Sequence, residues 1–431
     1  MRVSAIVLFC EARHAMTSAD NAGARGFGGH GFLMPYAEIF RIPRAWRFSV
    51  AGIIGRMPMA MYGLGTVLLI SAVTGKYGVA GSVSASGSLG GAACAPQIAR
   101  LADTRGQRRV LMPLVTLFVA SVAGLIVAVE LHAPDWVLFL PGIVGGATMP
   151  ALGPMARTRW SVLLANSPRL HTAFSLESVA DEVCFVLGPA MVTLLATQLH
   201  PAAGVAAAAL LCLAGTLWFA AQRETEPAVR PREVRRARGT RGQTRPLLPA
   251  PGLAVLIPVY VCLGSMFVAI DLSTVAFAAQ FGHKPLAGLI LGTYALGSAT
   301  GGLWYGTRNW KAPAWRRLAI TLTLTVTGVC TFWVMPNLLM LTIVIYLCGM
   351  TIAPTLIAGF ALMESQALPG RTTEAMSWLT TGIMVGVASG ATAAGFILDG
   401  FGARWGYVFA AASGATSALI CLAGLRKLST R

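Results

Sequence analysis

ARLADTRGQRRVL, residues 99–111, is a short basic break between two long apolar runs, 78–100 and 110–130. Each run is about 20 residues long, enough for a helix rising 1.5 Å per residue to cross a hydrocarbon core about 30 Å thick. Within the break, Asp103 ends one helix, Gly106 permits a tight reversal, and Arg108 and Arg109 open the next helix where lipid phosphate is within reach. The stretch reads as a hairpin connecting two membrane helices on one face of a bilayer.

The same alternation of long apolar runs and short polar breaks extends in both directions. Spans are predicted at 47–73, 78–100, 110–130, 136–157, 173–197, 202–221, 252–277, 286–306, 317–335, 337–363, 374–398 and 405–426. Composition agrees: 55% of the 431 residues are hydrophobic, 11% are charged, and the mean hydropathy is +0.68, whereas a soluble domain carries roughly 25% charged residues. The runs are twice the length of the alternating segments of a membrane β-barrel, so the spans are helical. The eight cysteines are scattered without Cys-x-x-Cys spacing and read as small core residues.

Residues 222–250 interrupt the pattern with arginines and prolines that neither cross a bilayer nor build a core. They read as a linker between two six-span bundles, 46–221 and 251–426, each of 176 residues. Residues 1–45 form an N-terminal cytoplasmic segment expected to be disordered, most clearly over the Gly-rich 17–32, with Met1 and Met34 as alternative starts; residues 427–431 form a short cytoplasmic tail. If the N-terminus is cytoplasmic, 29 of the 33 Lys and Arg fall in inner loops, linker and tails, and three (Lys76, Lys284, Arg404) in outer loops. That asymmetry is the positive-inside pattern. The net charge of +17 is thereby assigned to topology and to anionic lipid headgroups, with both termini cytoplasmic in the inner membrane, and nucleic acid is not an expected partner.

The 99–111 stretch resembles the signature that the major facilitator superfamily carries between helices 2 and 3, G-x-L-a-D-r-x-G-r-r-x-x-l. Leu101, Ala102, Asp103, Gly106, Arg108 and Leu111 match it, while Ala99, Thr104 and Gln107 depart from it. The resemblance implies an all-α membrane protein, with twelve transmembrane helices in two pseudo-symmetric six-helix bundles. It also implies that Asp103 bridges to the partner half and closes a cytoplasmic gate. Gly188 and Pro189 are expected to kink helix 5, either as an ordinary proline kink or, by resemblance, as the centre of the family's antiporter motif, although Cys184, Val192 and Thr193 stand where glycines are expected. By the same resemblance helices 1, 4, 7 and 10 line the substrate cavity, which would place Arg56 and Tyr62 beside substrate or a proton path, and helices 2, 5, 8 and 11 form the interface between halves. Small residues at four-residue spacing in helix 2 (Ser82, Ser86, Gly90), helix 8 (Gly288 and Gly292, Gly297 and Gly301, Gly302 and Gly306) and helix 11 (Gly382, Gly386, Gly390) fit that interface. They fit ordinary close packing equally.

Charges inside spans are the candidate functional groups, because each is costly in lipid unless paired, protonated or wet. Helix 5 carries Glu177, Asp181 and Glu182. Glu177 and Asp181, four residues apart, share a face; Glu182 points about 100° away from Asp181. Two readings stand, a proton-binding carboxylate and a structural charge network. Arg56 lies about 14 Å into helix 1, the depth of Asp181 and Glu182, and is either their counter-ion or a cavity residue. Asp271 is the single charge of helix 7 and is either a cavity or an interfacial residue. Helix 4, with Pro150 and Pro154, is expected to bend beside the cavity.

These features predict a monomeric secondary transporter that moves a small molecule by alternating access, as proton-coupled efflux, with the proton as coupling ion and no other cofactor. Uptake or facilitated diffusion is the alternative within transport. A membrane enzyme or a non-transporting receptor or scaffold is the alternative outside it. The six histidines do not cluster and no Walker sequence appears, which speaks against enzyme and pump.

Overall fold

The computed structural model describes residues 34–75, 77–165, 167–229, 252–283, 286–308, 310–368 and 370–429. The N-terminal Gly-rich part, most of the 222–250 linker, Lys76 and Lys284 lie outside them.

Every span in the described residues is helical, because only a helix satisfies its own backbone where water is absent. A short helix α1 (Met34–Phe40) precedes the first span, which is split into α2 (Ala45–Arg56) and α3 (Pro58–Thr74). Then come α4 (Tyr77–Arg105), α5 (Gln107–Glu130), a fourth span split into α6 (Asp135–Thr148) and α7 (Leu152–Leu163), α8 (Leu170–Gln198) and α9 (Ala203–Ala221). The second half contains α10 (Leu253–Gln280), α11 (Leu286–Gly306), α12 (Ala314–Val329), a tenth span split into α13 (Leu338–Gly349) and α14 (Ile352–Gln366), α15 (Thr372–Phe401) and α16 (Ala403–Ala423), with α17 (Leu425–Ser429) at the end.

Eleven of these helices or helix pairs are long and apolar enough to cross a membrane. The twelfth span, α4, is 29 residues long but rich in Ser and Gly, and those small side chains lower its hydropathy. The protein is an all-α membrane protein of twelve spans. Its two split spans of the first half break at proline: Pro58 lacks the N–H that would continue α2, and Pro150 separates α6 from α7. The tenth span breaks at Met350–Thr351, one turn before Pro354, which lacks the N–H that would bond the Met350 carbonyl.

The two halves meet at the end that carries the α4–α5 connection, called here the basic end. There a single apolar core runs through both, joining Ala102, Leu111, Leu152, Trp160 and Phe174 of the first half to Tyr305, Ile357 and Met376 of the second. A separate core of Leu69, Val83, Phe118, Leu138 and Val205 lies wholly in the first half.

The glycine stripes divide differently from the expectation. Gly382, Gly386 and Gly390 of α15 face α10 inside the second half, Gly297 and Gly301 of α11 face α13, and Gly90 of α4 faces α6. Only Gly302 and Gly306 meet the opposite bundle, against Val179 and Ser175 of α8. Most of the stripes are therefore close packing within a half. A small residue permits approach without saying which neighbour approaches.

Candidate functional site

The charges of the first half converge on one network near mid-depth. Glu177 and Asp181 lie one turn apart on α8, and their shared face looks toward α2 and α7. Arg56, at the end of α2, donates from Nη1 to Asp181 Oδ1 at 2.7 Å and from Nη2 to Glu177, while its Nε donates to the Gly52 carbonyl at 3.1 Å. Arg157 of α7 donates from Nη2 to the other Asp181 oxygen at 2.7 Å. Glu177 also accepts from Ser49 Oγ at 3.2 Å and Trp160 Nε1 at 2.9 Å. Two guanidinium groups and two carboxylates balance to zero, and the side chains of Arg56, Arg157 and Glu177 are 3% exposed or less. This is how ionised groups persist in lipid: each is paired and hydrogen-bonded. The Arg157 guanidinium also stacks 4.1 Å from the Phe360 ring centroid, so the network touches the second half.

Glu182, the next residue along α8, points elsewhere. It accepts a 2.6 Å hydrogen bond from Ser298 Oγ of α11, across the divide between halves. The charges that bear on it are the carboxylates of Asp181 and Asp271, and among the described residues no basic side chain pairs with it or with Asp271. Asp271 of α10 is exposed. Tyr294, one turn before Ser298 on α11, is within electrostatic reach of both carboxylates, is 8% exposed, and has a hydroxyl without a hydrogen-bond partner.

At the basic end Asp103 is half-buried against the first turn of α15. Its oxygens accept the backbone N–H of Thr373 at 3.3 Å and of Glu374 at 3.0 Å. Those are orphan donors of a helix start, and the positive end of the helix dipole faces the carboxylate. Beside it Arg371 holds Glu374 through two bonds of 2.7 and 2.6 Å, and Thr373 Oγ1 donates to Thr158 Oγ1 of α7 at 3.0 Å. Asp103 lies past the lipid-crossing part of α4, and burial pushes its carboxyl up to about 6 despite these bonds. Gly106, at φ +94°, makes the reversal into α5. The Arg108 backbone N–H donates to Glu226 at 2.9 Å, and Arg108 and Arg109 line an open cavity of about 700 Å³ with Arg105 and Arg223. Outside both bundles, α1 adds a further tie: the Tyr36 hydroxyl is 2.9 Å from both Ser175 Oγ of α8 and the Leu303 carbonyl of α11.

The structure thus brings Arg56, Glu177 and Asp181 together and separates Glu182 from them. Tyr62 is buried, donates to the Gly142 carbonyl at 3.1 Å and packs on Phe118, inside the first bundle. Pro150 is buried at the α6–α7 break. Gly188 sits where a methyl would come within 2.8 Å of Ala60, and Pro189 lies inside a continuous α8. Sequence reasoning missed Arg157, which looks like a loop arginine until α7 is seen to continue to Leu163. It also missed Tyr294 and Ser298, whose signal is the four-residue spacing of two polar groups in an apolar helix.

A family model of the Major Facilitator Superfamily matches residues 48–367, well over half of the chain. The chain belongs to that superfamily. Among solved structures it is similar to the human organic anion transporter MFSD10, with 17% identity and a TM-score of 0.67 over 88% of this chain and 100% of that one. It is also similar to a bacterial homologue of the iron transporter ferroportin in an outward-facing state, with 14% identity and a TM-score of 0.70 over 91% and 100%. The transporter FucP in its outward conformation matches with 11% identity and a TM-score of 0.67 over 90% and 99%. At these identities the likeness concerns the fold. No curated protein matches in sequence.

Proposed function

We propose that the protein is a secondary active transporter of the cytoplasmic membrane that expels a small molecule in exchange for protons, with Glu182 as the proton carrier. The basic end faces the cytoplasm in this reading and is closed in the structure, held by Asp103 on α15 and by Tyr36 across α8 and α11. The observation that carries it is the division of labour among three adjacent acids. Glu177 and Asp181 are neutralised by Arg56 and Arg157, whereas Glu182 faces the other half with one hydroxyl partner and no cation among the described residues.

A carboxylate without a counter-ion gains most from a proton, because protonation removes the desolvation cost of its charge. Glu182 takes a proton from the outer side while the basic end is closed. Rocking of the halves then changes its Ser298 contact and exposes it to the cytoplasm, where the proton leaves as substrate enters. Asp103 and the α15 N-terminus act as the latch of the closed state.

The test uses inverted membrane vesicles with an imposed pH gradient and a panel of radiolabelled amphipathic compounds of positive, negative and zero charge. Gradient-driven accumulation of at least one compound, lost in Glu182→Gln, is the expected result. Accumulation of none, or accumulation that stays gradient-dependent in Glu182→Gln, refutes the proposal.

A further inference from the structure

Glu182 and Asp271 are two carboxylates in a membrane interior with no cation to balance them among the described residues, unlike the four charges beside them. They come from opposite halves, on α8 and α10, and Ser298 and Tyr294 of α11 stand with them. Counted along the helices, Glu182 and Tyr294 each lie about 18 Å from the basic end of their own helix and so share one level, with Asp271 about 9 Å further out. The Tyr294 hydroxyl is an independent sign of a missing partner. It is more than nine-tenths buried, it is within electrostatic reach of both acids, and it bonds to nothing among the described residues. A buried hydroxyl left unpaired costs free energy that a bound group can recover.

The neighbouring faces are apolar. One turn outward from Glu182 on the same face of α8 stand Phe185 and Val186, both about half exposed. Flanking Asp271 on α10 are Phe267 and Val275, both partly exposed. Among the described residues no three His, Cys, Asp or Glu side chains assemble as a metal-ion group, so the two acids lack the oxygen-rich cage that a hard divalent ion needs.

We propose that Glu182, Asp271 and Tyr294 form a binding site for an amphipathic organic cation, an ammonium or phosphonium centre carried on apolar groups. The cation supplies the charge that the two carboxylates lack, the phenol ring offers it a π face, and the apolar flanks take up its hydrocarbon. Substrate and proton then compete for the same carboxylate. The charged groups facing Glu182 are Asp271, and Asp181 held by its two arginines. The proposal rests on the transport reading only for how the site is filled and emptied.

The experiment measures equilibrium binding of radiolabelled tetraphenylphosphonium to the purified full chain in detergent, beside tetraphenylborate, which has the same shape and the opposite charge. Saturable binding of the cation alone is expected, weaker at pH 5 than at pH 8. It falls about tenfold or more in Glu182→Gln and in Asp271→Asn and is largely retained in Asp271→Glu, which keeps the charge. Thermal melts of each variant separate lost binding from lost folding. Equal binding of tetraphenylborate, undiminished binding in the two neutralised variants, or no saturable binding by the unaltered protein overturns the site, as does saturable Mn2+ binding without phosphonium binding. Phosphonium binding by a protein that accumulates no compound in vesicles sinks the transport reading and leaves the site. Gradient-driven accumulation confined to neutral or anionic compounds does the reverse.

Discussion

Replacing Asp181 with Asn tests whether the charge network is structural. Asp181 spends one oxygen on Arg56 and the other on Arg157, each at 2.7 Å. Arg56 keeps Glu177 after the change, but Arg157 loses its only carboxylate partner among the described residues, at 3% exposure. Breaking a buried pair from one side costs about 3–5 kcal/mol, chiefly because the surviving charge stays buried without compensation. Asp181 is itself 23% exposed, and Asn retains one acceptor, which puts the expectation at the low end, about 3 kcal/mol or over a hundredfold in the unfolding equilibrium. Titration of micellar protein with SDS, followed by the fluorescence of its ten tryptophans, reads this directly. Adding Arg157→Met should recover most of the loss, since an apolar side chain beside Phe360 removes the stranded charge. A loss below about 1 kcal/mol in the single variant, or no recovery in the double, refutes the reasoning. Glu182→Gln is the control: with no cation to strand, it should stay within about 1 kcal/mol of the unaltered protein.

The basic end should respond to pH through Asp103, whose carboxyl is pushed up to about 6 by burial in the closed arrangement. An acid whose value is raised on closure binds its proton more tightly there than in the open form, where it lies near the ordinary value of about 3.9. Closure is therefore favoured as pH falls through about 6. Distances between spin labels at Arg105 and Ser365, in a background without the native cysteines, should shorten on acidification, and Asp103→Asn should abolish that response. At the α4–α6 contact, a methyl on Gly146 would overlap the Gly87 carbonyl, so Gly146→Ala should lower the melting temperature, with a cost of about 1–3 kcal/mol. Gly288→Ala, where nothing lies within 4 Å, should leave the melting temperature unchanged.

Lipid makes spans legible, because a run of about 20 apolar residues has few alternatives. The bend of the fourth span follows from its prolines, whereas the breaks of the first and tenth spans, beside Pro58 and Pro354, fall inside runs that hydropathy alone reads as continuous. Equal depth along two helices points Arg56 to Asp181 and Glu182 alike; the structure pairs it with Asp181 but not Glu182, and adds Glu177, which the helical rise places shallower. Arg157 is not reachable that way, because the apolar run ends at 157 while α7 continues six residues further to Leu163. That Glu182 points about 100° from Asp181 is legible in the sequence, but not that it leaves the arginines and bridges to Ser298. A hydroxyl partner leaves no charge pattern, and only the packing of α8 on α11 brings the two together.

Under the transport reading proposed above, the contact made by α1 would place control of the closed state outside the two bundles. Tyr36 belongs to neither bundle, yet its hydroxyl grips α8 and α11 at once, and Glu38 adds an ion pair to Arg169 just ahead of α8. Rocking the halves apart at this end must first peel the strap away. The resting balance between the two arrangements can therefore be retuned by changing seven residues upstream of the first span, leaving the acids at the centre untouched. Under that same transport reading, this segment would set turnover without passing through specificity.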